Sequence, residues 1–275
     1  MQKVLGFVVI LLTTLSSFSK SLSQIDGKFV TKKIGEYTII LSQDFESGLG
    51  KITIQQRLEK VFEESGIDNH YSFGNDFDGL KNKDPYSGHD LDGSGFPNLV
   101  ISNWTGGAHC CHFLYIFELG KAIKEIARVD AHSSSIRLAD LDHDALPEIE
   151  FWDGAIDYSF ASFAGSPGGR VVLKLQNGQY EVAPQLMKMP APSTTQIMHI
   201  KNKIKTAFKT ENSSDLPYDF LSSMMDLSYS GHLDLAMKIA TEVWPLKKPG
   251  LAQFKKDFAE ALNDSFYWKS FFDRP

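Results

Sequence analysis

Two stretches set fifty residues apart share one outline, and that repeat limits the possible folds more than any other feature of the chain. "GHDLDGSGFPNLVIS" spans 88–102 and "ADLDHDALPEIEF" spans 139–151. Each sets acidic or polar side chains at alternate positions, meets a proline and then turns apolar. In the first, Asp90, Asp92 and Ser94 hold positions one, three and five, the Phe96 carbonyl position seven and Asn98 position nine. In the second these positions fall to Asp140, Asp142, Asp144, the Leu146 carbonyl and Glu148. A hard cation such as Ca²⁺ takes about six to eight oxygens, and a short loop whose alternate residues point inward supplies several. An EF-hand does not fit. Its twelfth position needs a bidentate Glu, but Ile101 and Phe151 stand there, and each loop leads into a strand-like stretch rather than a helix.

The surroundings of the loops read as β from about 28 to 185. "EYTIILS" and "KITIQQ" alternate apolar with polar residues, as half-buried strands do. "KVFEES", "NLVISNW", "FLYIFEL", "EIARV", "SIRLAD" and "EIEFW" continue the series, and in "RVVLKLQNGQYEVAP" the Asn177-Gly178 pair predicts a two-residue hairpin turn. Beyond 185 the texture changes. "MKMPAPSTT" carries two prolines and predicts a linker over 187–215. Helical periodicity follows: Phe220, Leu221, Met224 and Leu227 share one face, and Leu235, Ala236, Ile239, Ala240 and Val243 another. Leu251, Phe254, Phe258 and Leu262 form a third stripe, with Pro249 expected in its first turn. The expected architecture is mainly β, with propeller-blade-like antiparallel strands over 24–186 and a small α-helical subdomain over 216–275.

"DLDGSGFPNLVIS" and "DLDHDALPEIEF" resemble the D-x-D-x-D-G-x-x-D loops of FG-GAP repeats, also called VCBS-like repeats. "GGAHCC" adds a likeness to exported bacterial proteins that carry such repeats. The resemblance covers residues 88–153 and implies blades of an integrin-type β-propeller, with a Ca²⁺ loop joining two strands of a blade. The fifty-residue spacing suits a four-stranded blade. Two departures stand out. The first loop has Ser94 and Asn98 where the family has carboxylates, and the second has Ala145 where Gly takes the sharp turn. If that position needs positive φ, Ala costs about 1 kcal/mol relative to Gly. By ligand charge the second loop is expected to be the tighter site, and the Ca²⁺ is expected to be structural. The competing reading is a pair of Asx-type turns whose Asp side chains bond backbone N–H groups. Two clear copies are fewer than a closed propeller needs, so an open edge covered by the C-terminal helices is expected.

The N-terminus combines Lys3, an apolar run from Val4 to Leu12 and the small-residue stretch "SSFSKSLSQ". That pattern predicts a signal peptide over 1–23 and a mature protein that is periplasmic or extracellular. The apolar run is short for a membrane span, and no cysteine lies near the cleavage region, so no stable membrane anchor is expected. Losing Lys3 and Lys20 takes the formal charge from −6 to −8. A chain so acidic is not expected to bind nucleic acid, which needs concentrated Lys and Arg.

Cys110 and Cys111 are the only cysteines and are adjacent. A vicinal disulfide, a pair of partly buried thiols, and metal binding with His109 and His112 all fit the sequence. No nucleophile elbow, zinc-protease pair, P-loop or dinucleotide fingerprint appears, so no catalytic residue is assigned. His89 and His143 adjoin the acidic loops and read as turn residues. "FWDGAIDYSFASFAGSPGG" (151–169), with Asp153, Asp157, Phe160 and Phe163, is either a glycan- or peptide-binding loop or a loop that closes the core. The expected function is that of an exported, calcium-stabilised binding or envelope-associated module without catalytic activity, whose partner is a protein or a glycan. The alternatives are an extracytoplasmic metal-dependent hydrolase and a copper or thiol-redox protein acting through Cys110 and Cys111.

Overall fold

The computed structural model describes residues 27–75, 84–107, 109, 111–210 and 215–272; the expected signal peptide lies outside them. Among the described residues, twelve strands form three four-stranded antiparallel sheets, each an up-and-down meander. The first contains β1 (Gly27–Ile34), β2 (Tyr37–Asp44), β3 (Leu49–Gln56) and β4 (Glu59–Ile67). The second contains β5 (His70–Phe73), β6 (Asn98–Trp104), β7 (His112–Leu119) and β8 (Ile123–Asp130). The third contains β9 (Arg137–Ala139), β10 (Glu148–Asp153), β11 (Gly169–Gln176) and β12 (Gln179–Val182). The mainly β class therefore holds. The alternation that predicted β2 is real: Tyr37, Ile39 and Leu41 are buried and the residues between them half-buried. At the expected hairpin Gln176 pairs with Gln179, and Asn177 and Gly178 take φ of 52 and 76, as a two-residue turn of this hand requires.

The chain divides into two compact units, Met1–Tyr71 with Asn103–Gly106, and Ser72–Ser102 with Gly107–Pro275. In the first, the β1–β4 meander buries Ile39, Leu41, Ile52 and Ile54. Its β3–β4 turn sets Arg57 and Leu58 at φ of 51 and 84.

The second unit holds both acidic loops and all the described helices: α1 (Pro184–Met187), α2 (Thr194–Thr210), α3 (Tyr218–Tyr229), α4 (Leu233–Val243), α5 (Leu251–Asp264) and α6 (Phe266–Phe272). The predicted stripes face inward, with Phe220, Met224, Ile239, Val243, Phe254 and Phe258 buried. They join Val100, Ile116, Ile149, Phe151 and Val171 of the sheets in one continuous core. Residues 216–272 are helical as expected, and their apolar stripes complete the β core. The helical stripes are apolar and so are the sheet faces, and each needs the other to leave water. Gly231, at φ 90, ends α3 where the Gly231 and His232 N–H groups close back on the Ser228 and Leu227 carbonyls. Pro249 precedes α5 instead of entering its first turn, because Gly250 at φ 96 supplies the N-cap.

The stretch read as a linker over 187–215 carries α2, which buries Ile204 and Ala207. Its start is a capping box: the Gln196 side chain accepts from Ser193 N at 2.8 Å, and Gln196 N donates to Ser193 Oγ at 3.3 Å. Pro190 and Pro192 drew the linker reading, but they lie before the helix. The helices also cover an edge, since α6 runs against β12 and Tyr267 Oη donates to the Asp130 carbonyl of β8 at 2.8 Å.

Candidate functional site

The loops occupy equivalent places. The first precedes β6 and the second β10, each the second strand of its sheet. Position nine is in both cases the buried first residue of that strand, Asn98 or Glu148. It reaches back to position two: Asn98 Oδ1 accepts from Leu91 N at 2.6 Å, and Glu148 Oε2 from Leu141 N at 2.7 Å. Position one accepts from position six, Asp90 Oδ2 from Gly95 N at 2.9 Å and Asp140 Oδ2 from Ala145 N at 3.2 Å. Position five accepts from position seven, Ser94 Oγ from Phe96 N and Asp144 Oδ1 from Leu146 N. Positions four and six are left-handed in both, at φ 71 and 82 for Gly93 and Gly95 and 65 and 74 for His143 and Ala145. Positions one, five, seven and nine, eight of the ten residues singled out in the sequence, thus take part in two copies of one backbone frame, while Asp92 and Asp142 at position three have different partners. His143 stands where the first loop has a glycine, which supports a turn role for it.

The two copies are neighbours. A side chain on Gly93 would come within 3.7 Å of Leu146. Tyr180 of β12 sits between the loops and donates to the Pro147 carbonyl at 2.8 Å. Burial raises the pKa of its hydroxyl, and Asp92, Glu148 and Asp144 raise it further, so the phenol stays protonated.

In the second loop one ligand oxygen from each of Asp140, Asp142 and Glu148 lies within 4.8 Å of the others. Oxygens bound to a Ca²⁺ at about 2.3–2.6 Å lie no farther apart than about 5 Å, so this set fits such an ion. The space already receives a cation from elsewhere in the fold. Lys174 Nζ of β11 donates to Asp142 Oδ2 and Asp144 Oδ2 at 2.5 Å each and to Glu148 Oε1 at 3.3 Å. Burial alone would lower the lysine pKa, but the three carboxylates outweigh it and hold the amine charged. The Lys174 hydrogen bond in turn keeps Asp144 below the usual carboxylate range.

The first loop is braced more weakly. Asn98 turns its amide nitrogen toward Asp92 Oδ2 at 3.2 Å, while its oxygen serves Leu91 N. Burial pushes Asp90 up, but the Gly95 N–H, the Asp92 side chain and further backbone donors overcome it and keep this carboxyl ionised.

Among the described residues, the other candidates do not gather into a site. His112 is buried, with Nδ1 on the Ser134 carbonyl at 3.0 Å, whereas the His109 ring lies against Phe163 at 4.1 Å. Cys111 is disulfide-bonded and takes φ 81, which fits the disulfide among the three readings; Cys110 lies outside the described residues. Phe160 packs on Phe254 and Phe258 in the core, so that part of the aromatic loop closes the fold. Asp153 is buried, where Tyr229 Oη donates to it at 2.5 Å and Ser265 Oγ also donates. Burial pushes the neighbouring Asp157 up to about 6, against the pull of His132. A cavity of about 450 Å³ opens beside them, lined by Phe113, Arg128, Asp130, His132 and Tyr267 among others. Sequence reasoning missed Lys174; its signal was a lysine among the inward residues of the "RVVLKLQ" strand.

No family model matches the chain, and no solved structure matches it. The FG-GAP-like reading thus stands on the loop residues alone. A protein of Synechocystis sp. described as "probable thylakoid lumen protein" is 30% identical over 87 residues, 30% of this chain. The match spans about a quarter of that relative, 26% of its length. Among the described residues, no helix is long and apolar enough to cross a membrane.

Proposed function

We propose that the protein is an exported module whose β fold is stabilised by Ca²⁺ at its FG-GAP-like loops, and that it acts by binding a protein or glycan rather than by catalysis. One observation carries this reading. The two loops build the same backbone frame, and in the second copy that frame already converges its carboxylates on a cation, the Lys174 ammonium. A frame that collects oxygens around positive charge suits a hard cation in its other copy. The thylakoid lumen description of the Synechocystis relative and the signal-peptide pattern both support a compartment outside the cytoplasm. In such a compartment Ca²⁺ sites with dissociation constants of about 10⁻⁴ to 10⁻³ M stay loaded.

Thermal unfolding of the purified chain in about 2 mM Ca²⁺ and in EDTA tests the ion. A site with a dissociation constant of about 0.1 mM adds roughly 1.8 kcal/mol under those conditions, a shift of several degrees that Mg²⁺ should not reproduce. An unchanged transition would return both loops to the class of acidic turns. Cell fractionation with N-terminal sequencing of the mature product tests export, with cleavage expected after Ser23.

A further inference from the structure

We infer that Lys174 is a tethered cation that takes the place of a divalent ion in the second loop, so that ion binding is confined to the first. This rests on the calcium reading of the loops and reverses the order that counting carboxylates suggests. Four carboxylates, Asp140, Asp142, Asp144 and Glu148, make the second loop the richer ligand set. Three of them already share the Lys174 ammonium, whose side chain is only 20% exposed. A divalent ion would have to displace that ammonium from the same oxygens or sit against it, and like charges at such range repel.

Strand register holds Lys174 there. Ile149 pairs with Leu173, so the next rung sets Lys174 across from Glu148. The second sheet repeats the arrangement with the opposite sign. Leu119 N donates to the Pro97 carbonyl at 2.9 Å, which sets Glu118 across from Asn98. One cross-strand position is therefore a cation in the third sheet and an anion in the second. Among the described residues no ion pair reaches Asp90 or Asp92. The donors that do reach Asp92 are neutral, the Ser94 N–H at 3.1 Å and the Asn98 amide at 3.2 Å. The first loop thus keeps its backbone frame without a built-in positive charge, and it is the copy left to take an ion from solution.

Calorimetric titration of CaCl₂ into the full chain and its variants tests the assignment. Wild type should bind one Ca²⁺, and Asp92→Asn should abolish that binding. Lys174→Met keeps the aliphatic stem and removes the charge; it should bind two, with the second lost again on adding Asp142→Asn. Lys174→Arg, which keeps a cation, should behave as wild type. If Lys174→Met is unfolded in EDTA, its refolding on adding Ca²⁺ is the expected result, and Lys174→Gln provides the titration. A wild type that binds two ions, or one that Asp142→Asn removes, overturns the proposal, as does a Lys174→Met variant that gains no site. The calcium reading fails separately: it falls only if neither wild type nor Lys174→Met binds any Ca²⁺.

Discussion

Ala145 and Gly95 stand at the same position of two loops and share a left-handed backbone, at φ 74 and 82. Each donates its own N–H to the first aspartate of its loop, Asp140 for Ala145 and Asp90 for Gly95. Glycine adopts that conformation without strain, whereas a Cβ crowds the neighbouring carbonyl. Nothing lies within 4 Å of where a Cβ on Gly95 would be, so the strain is local to the backbone. Ala145→Gly should therefore stabilise the protein by about 1 kcal/mol, and Gly95→Ala should cost a similar amount. Urea midpoints at constant slope measure both.

Glu150 of β10 is buried between two guanidinium groups, Arg137 Nη2 and Arg170 Nε, at 2.6 Å each. Burial alone would raise its pKa, but the two arginines outweigh it and hold the carboxyl below its ordinary range. Its stabilising contribution is thus present above the usual glutamate pKa and fades as pH falls through the lowered value. Glu150→Gln should destabilise by about 2 kcal/mol at pH 7, less than for a fully buried pair because both arginines reach solvent. Unfolding at pH 7 and pH 3 should find the deficit smaller in acid; an equal deficit at both would mean that packing, not charge, holds the site.

Asp157 has the opposite sign. Its folded-state pKa of about 6 lies above the unfolded value near 3.8, so the native state holds the proton more tightly. Between those two values native stability falls as pH rises, and above about 6 the burial of a charged carboxylate persists as a fixed cost. Asp157→Asn should melt higher than wild type at pH 7.5, and the gain should vanish by about pH 4. A gain independent of pH would remove the titration from the explanation.

Ser193 caps α2 and exchanges hydrogen bonds with Gln196. Ser193→Ala should cost about 1 kcal/mol, and Gln196→Ala, which loses only the reciprocal half, should cost less. Both can be read from thermal unfolding, and a neutral Ser193→Ala would mean that the packing of Ile204 and Ala207 alone sustains the helix.

The loops were legible because their chemistry is local. Every bond that builds the frame joins residues within about nine positions, so alternate acids, the glycine positions and the following proline already specify it. The strands of β2, β3, β6, β7 and β10 were legible for a similar reason, since alternating or continuous apolar runs need no knowledge of the partner strand. Helix α2 was not, although Ser193 and Gln196 spelled its cap. Two prolines just upstream carried more weight than a stripe of Ile197, Ile200 and Ile204.

By itself the sequence determined the β class, the two acidic frames and the apolar faces of α3, α4 and α5, because each follows from short-range periodicity and turn chemistry. Only the tertiary structure decided which residues meet those frames. Lys174 lies 26 residues beyond Glu148, and antiparallel pairing of β10 with β11 brings its ammonium onto the carboxylates. Glu118 reaches the matching rung of the second sheet by the same geometry. Tertiary packing likewise merged the helical stripes with the sheets into one core. Charge and periodicity are written along the chain, but the sign of the field at a site depends on side chains that strand register delivers from afar.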